Sequence, residues 1–169
     1  MLKSVLSGEM CGKCRNCCVF FSKSRWEMPS VPKENADKIC SFLNNEQVVQ
    51  KSGDSYKLKS MLRENIQGSD CEEYKCPALD ENKGCMLPEN LKPVECSMWP
   101  LRVMRDNGKL FITLAGGCHA VNERFTSDVK KLLGDGLYEK IIDILKRDKS
   151  IIKEFESSYE KLAEITEVI

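Results

Sequence analysis

The sequence predicts an α+β fold: a small, irregular, cysteine-rich core carrying one β-hairpin, covered by α-helices, with a long helical segment at the C-terminal end. Three observations predict it. Four of the ten cysteines fall within eight residues, Cys11-Gly12-Lys13-Cys14-Arg15-Asn16-Cys17-Cys18, and the other six are Cys40, Cys71, Cys76, Cys85, Cys96 and Cys118. Asp106-Asn107-Gly108-Lys109 is the signature of a tight hairpin turn between two apolar runs. From Ser127 onward, apolar residues recur at helical spacing with charges between them. The expected division is a cysteine cluster domain over 1–125 and a helical segment over 126–169 packed on it, as a single domain overall. At 169 residues such a chain buries enough surface to fold without covalent staples.

Composition narrows the function classes. Lysine plus arginine equals aspartate plus glutamate, 26 each, so no net field draws the chain to nucleic acid or to an anionic membrane surface. No apolar run is long enough to span a bilayer, and Met1 to Gly8 lacks the apolar centre of a signal peptide. The expected location is therefore cytoplasmic, where thiols stay reduced and ten cysteines read as metal ligands before they read as disulfides. Eight thiolates holding two divalent ions would make the loaded protein more acidic by about four charges.

The first cysteine cluster carries the most specific spacing. Two residues between cysteines let both sulfurs reach one metal while the intervening N–H groups face the thiolates. C-x2-C-x2-C is the run that sets three thiolates on three corners of a [4Fe–4S] cluster with a distant fourth. Zinc uses the same first pair with a distant second pair. The side chains of Cys17 and Cys18 are adjacent and expected to diverge, which puts Cys18 on a second ion, in a bridge, or outside the ligand set. Lys13 and Arg15 fit as compensation for anionic sulfur, and equally as solvated charges. Val19-Phe20-Phe21 is expected to pack beneath the site.

Ser30-Val31-Pro32-Lys33-Glu34 opens a helix running to about Asn44, with Ala36, Ile39, Cys40 and Leu43 on one face. Cys40 thereby reads as a small buried apolar side chain rather than a ligand. Gly53-Asp54 is a turn, and Tyr56 to Leu62 alternates enough for a strand. Cys71 matches no trusted spacing. Asp80-Glu81-Asn82-Lys83-Gly84 is a concentrated turn signal that folds the chain back and lets Cys76 and Cys85 approach. Pro88, Pro93 and Pro100 keep the next stretch out of regular interiors.

With Asn107-Gly108 as its two-residue turn, the hairpin pairs Val103 with Ile112 and Leu101 with Leu114. Carried outward, that register sets Ser97 opposite Cys118 and Cys96 in the same neighbourhood. His119, the only histidine, adjoins Cys118 and is expected at the surface or behind the ligands. Thr126 or Ser127 caps a helix that Gly134 and Gly136 stop. Leu137, Ile141, Ile144, Leu145, Ile152, Phe155, Tyr159, Leu162 and Ile165 then continue at helical spacing, with a break at Asp148-Lys149-Ser150. The apolar stripe of these helices covers the core, or meets a protein partner or second copy in a homodimer.

These residues together resemble the YkgJ-like cysteine-cluster family, the CxxCxxCC proteins described as zinc- or iron-chelating domains. The resemblance rests on Cys11 to Cys18, Cys76-Pro77-Ala78-Leu79, Gly84-Cys85, Cys96-Ser97-Met98-Trp99-Pro100 and Cys118, over roughly residues 8 to 120. It implies metal ligands at Cys11, Cys14, Cys17, Cys18, Cys76, Cys85, Cys96 and Cys118. Lys92-Pro93 stands where the family tends to have Arg-Pro, and Cys40, Cys71 and the helical tail lie outside the pattern.

The leading expectation is a protein that chelates zinc or iron through those eight thiolates, in two tetrahedral sites or as a [4Fe–4S] cluster. The alternative is a [4Fe–4S]-dependent redox or protein-methylation-associated enzyme component, the second by analogy with flagellin lysine N-methylases. No catalytic motif is present: there is no phosphate-binding glycine loop and no serine–histidine–acid set. A zinc-knuckle reading on nucleic acid meets neutral charge and the wrong spacing.

Overall fold

The computed structural model, which describes Leu2, residues 4–6, Gly12, and residues 14–20, 28–53, 55–62 and 72–167, contains both helices and mainly antiparallel strands, consistent with the α+β class. They belong to two units, one of residues 11–96 and one of residues 1–10 with 97–169. The hairpin thus groups with the C-terminal segment, a different division from the expected one at residue 125.

In the unit 11–96 the elements are β1 (Val19–Phe20), β2 (Ser30–Val31), α1 (Lys33–Phe42), β3 (Val49–Ser52), β4 (Ser55–Leu58), β5 (Met61–Leu62), β6 (Tyr74–Lys75), β7 (Leu79–Asp80), β8 (Gly84–Cys85) and the start of α2 (Val94–Met98). The strands form small sheets in the orders β1-β6-β5, β2-β4-β3 and β7-β8. Pro32 precedes α1 in extended conformation, where a missing N–H costs the helix nothing. Helix α1 buries Ala36 and Ile39 among Met28, Val31, Val48, Leu58, Ala78 and Leu79, with Cys40 and Leu43 packed half-buried against the same cluster. Cys40 is therefore the small apolar side chain its helical position predicts. Gly53, at φ 62, lies in the β3–β4 turn; Asp54 lies outside the described residues.

In the other unit, β9 (Leu101–Asp106) and β10 (Lys109–Ala115) form the predicted hairpin in the predicted register, Val103↔Ile112 and Leu101↔Leu114. Asn107 and Gly108 both have positive φ, 49 and 79, as this turn demands. All four paired side chains are buried. The pairing does not extend as expected, because Ser97 lies in α2 rather than opposite Cys118.

Helix α3 (Glu123–Leu132) starts earlier than predicted, because Asn122 rather than Thr126 or Ser127 caps it, accepting a hydrogen bond from the Phe125 N–H at 2.9 Å. The expected glycine stop is present as a kink at Asp135-Gly136, with Gly136 at φ 96, after which α4 (Tyr138–Arg147) begins.

The C-terminal segment is where the expectation fails. After Arg147 the chain makes a single 3-10 turn and then two strands, β11 (Ile152–Glu154) and β12 (Tyr159–Ile165). These complete a sheet in the order β11-β9-β10-β12, with β11 parallel to β9 and β12 antiparallel to β10. Ile152, Phe155, Tyr159, Leu162 and Ile165 fit a helical period by spacing, yet β-branched and aromatic residues also suit a pleated surface. Two unsatisfied hairpin edges offer backbone partners that an isolated helix cannot match. The Asp148 carboxylate, which accepts from the Ser150 N–H, sets the break.

Candidate functional site

The cysteine turns of the unit 11–96 are held together by backbone. The 3-10 turn Asn16–Cys18 follows Arg15, which adopts left-handed φ 53, and its carbonyl accepts from the Cys18 N–H at 2.8 Å. Strand β1 leaves that turn and pairs Val19 with Lys75 and Phe20 with Tyr74. At the next step the Cys76 N–H donates to the Cys18 carbonyl at 2.8 Å, so those two cysteines face each other across the end of the ladder.

From Cys76 the chain reverses as predicted. Strands β7 and β8 pair Leu79 with Cys85 and Asp80 with Gly84. The Asp80 carboxylate accepts from the Asn82 and Lys83 N–H groups, each at 2.8 Å, which forms the turn. Those two hydrogen bonds, with smaller help from Lys83 and Arg15, hold the Asp80 carboxyl below the ordinary aspartate range.

The sulfur chemistry follows from this geometry. The Sγ atoms of Cys17 and Cys18 are 3.8 Å apart, so the expected divergence of adjacent side chains does not occur. Cys76 is buried, and burial pushes its thiol up to about 12, against a lowering contribution from the Ala78 backbone. Charge on Cys96, Cys85 and Cys17 adds a smaller raising contribution. Cys85 and Cys96 are exposed, and Cys14, Cys17 and Cys18 are half-buried. No disulfide joins any two of the eight described cysteines.

Of the predicted ligands, Cys17 and Cys18 are in contact, Cys18 and Cys76 are paired through backbone, and Cys85 returns opposite Leu79 in the turn that Cys76 opens. Cys14 lies one residue before the Arg15 turn. Cys11, like Cys71, lies outside the described residues. Cys118 is buried in the other unit, its N–H donating to the Ala115 carbonyl at 3.3 Å, and the neighbouring His119 is exposed. Among the described residues, no three His, Cys, Asp or Glu side chains are arranged as they would be around a bound metal ion. No family model, curated protein or solved structure matches the chain.

Three features of the site escaped the sequence reading. The Arg15 guanidinium bridges the two turns: Nε donates to the Gly12 carbonyl at 2.9 Å and Nη1 lies 3.3 Å from Glu81 Oε2. Lys75 Nζ lies 3.5 Å from the other Glu81 oxygen. The Glu95 carboxylate, buried beside Cys96, accepts from the Ser30 N–H and ties α2 to β2. The alternation of charged residues with cysteines at Arg15, Lys75, Glu81 and Glu95 was the available signal, although it does not say which charge meets which.

Proposed function

We propose that this protein chelates a metal ion through cysteine thiolates, with zinc in a tetrahedral thiolate site as the favoured form. The observation that carries the reading is the 3.8 Å separation of the Cys17 and Cys18 sulfurs. Zinc–thiolate bonds of about 2.3 Å at tetrahedral angles put neighbouring sulfurs about 3.8 Å apart. Each iron of a cubane cluster takes one cysteine, so two thiolates at this spacing suit one ion better than two cluster corners. Cys76, Cys85 and Cys96 supply further sulfur nearby, and Cys14 is within the same turn region. Cys11 and Cys118 belong to this reading through the cysteine pattern alone, as does the resemblance to YkgJ-like proteins.

The donor set suits zinc: all sulfur, with a buried member whose thiolate is costly without a cation beside it. Bound zinc would neutralise those thiolates and lock the turns; loading requires the side chains to close on the ion from their present arrangement. Metal analysis with a UV–visible spectrum, on protein prepared without oxygen, tests the proposal. The expected result is colourless protein carrying about one to two zinc per chain. Brown protein absorbing near about 400 nm would replace zinc by an iron–sulfur cluster. Protein that neither carries nor takes up metal ends the chelator reading.

A further inference from the structure

Gly84 and Gly12 bring the two cysteine turns into backbone contact. Gly84 is buried, has φ +80, and a Cβ built on it would lie 3.2 Å from the Gly12 Cα. The contact is one-sided, since a Cβ on Gly12 meets nothing within 4 Å. A second connection joins the same turns: Arg15 holds the Gly12 carbonyl with Nε and Glu81 with Nη1. Gly84 precedes Cys85, Gly12 precedes Cys14 by two residues, and Glu81 lies in the turn between Cys76 and Cys85.

We infer that Gly84 and Arg15 are positioning residues that close the Cys14–Cys18 turn onto the Cys76–Cys85 turn, so that thiolates from both can serve one ion. The inference rests on the chelation reading for its ion and on the backbone contact for its closure. A methyl group at residue 84 crowds the Gly12 backbone, which must give way slightly, and the positive φ strains any side chain there whatever the space. Arg15 acts in the opposite sense. Its planar fork spans a carbonyl on one turn and a carboxylate on the other, a task a shorter or uncharged side chain does not perform.

Gly53 supplies a matched control. It has φ +62 in the same unit, and a Cβ there meets nothing within 4 Å, so Gly53→Ala brings the backbone strain without the crowding. Zinc affinity is measured by competition with a chromophoric chelator on wild type, Gly84→Ala, Gly53→Ala and Arg15→Gln. Gly84→Ala and Arg15→Gln should each weaken zinc about 10–100-fold, the range for residues that orient ligands. Gly53→Ala should bind as wild type. In metal-free protein, dibromobimane should bridge a thiol of Cys14, Cys17 or Cys18 to Cys76 or Cys85 in the wild type, and the bridge should be lost in Gly84→Ala.

Wild-type affinity in Gly84→Ala, or an equal loss in Gly53→Ala, overturns the inference. A wild-type chain that takes up no zinc defeats the chelation reading separately, and the cross-link alone then decides the closure: lost in Gly84→Ala it stands, retained it falls. Where Gly84→Ala does not fold, Arg15→Gln decides by the same two readouts.

Discussion

Two sulfurs on adjacent residues lie 3.8 Å apart in a 3-10 turn that follows the left-handed Arg15. That turn is worth testing at single residues. Cys17→Ser and Cys18→Ser should each lose most of the bound metal, because a hydroxyl is a poor substitute for thiolate on zinc. Cys40→Ala should retain it in full while lowering stability by roughly 1 kcal/mol, since Cys40 is a half-buried packing residue. Metal loss in Cys40→Ala with retention in Cys18→Ala, read by metal analysis, would reverse both assignments. A pH dependence belongs to Cys76. Its thiol, ordinarily near 9.0, is raised to about 12 by burial first and by neighbouring thiolates second. A raised value favours the protonated form in the folded state. The metal-free protein therefore keeps this contribution in full below pH 9.0 and loses it as the pH climbs toward about 12. Urea unfolding of metal-free wild type should show a steeper loss across that window than Cys76→Ala. Equal slopes would remove Cys76 as the cause.

At the scale of elements, the β9–β10 hairpin and the β11 and β12 strands that flank it show how local chemistry and long-range pairing divide the work. Ile112 is fully buried opposite Val103, and Ile112→Ala should cost about 2–5 kcal/mol by urea unfolding. A cost within about 0.5 kcal/mol would mean that the hairpin face is not core. Asn107-Gly108 announced this hairpin because two consecutive positive φ angles are a local requirement with a local residue signature. The Asp80–Gly84 turn could be read for the same reason, and with it the return of Cys85 toward Cys76. The strands β11 and β12 could not. Their apolar spacing satisfies a helix, and what decides against it is the pair of open edges on β9 and β10, nearly fifty residues away. The cysteine turns divide in the same way. Turn chemistry gave the reversal that pairs Cys85 with Leu79, while Cys118, expected beside Cys96, belongs to the other unit. The Cys17–Cys18 approach is a matter of local turn conformation, and the Gly12–Gly84 contact of a meeting of segments some seventy residues apart. Neither leaves a periodic trace.

At the scale of the molecule, the two units differ in what holds them. The unit with residues 97–169 has a continuous four-stranded sheet and two helices with buried stripes at Phe125, Val129, Ile141, Ile142 and Leu145. The unit 11–96 has small sheets of two- to four-residue strands. Strands that short contribute few ladder hydrogen bonds each, so the cysteine turns there depend more heavily on side-chain clasps such as Arg15–Glu81 and, in the proposed holo form, on metal. Local stability should reflect this. Adding a strong chelator to the loaded protein should speed amide hydrogen exchange across residues 75–86 and around Cys17 and Cys18. Exchange along β9 and β10 should be little changed, because their hydrogen bonds are satisfied within a sheet that needs no ion. Uniform acceleration along both units would show that the metal stabilises the chain as one cooperative body. Unchanged exchange at residues 75–86 would instead detach the cysteine turns from metal altogether, leaving the backbone pairing of Cys18 with Cys76, Arg15 and the Gly12–Gly84 contact to hold them.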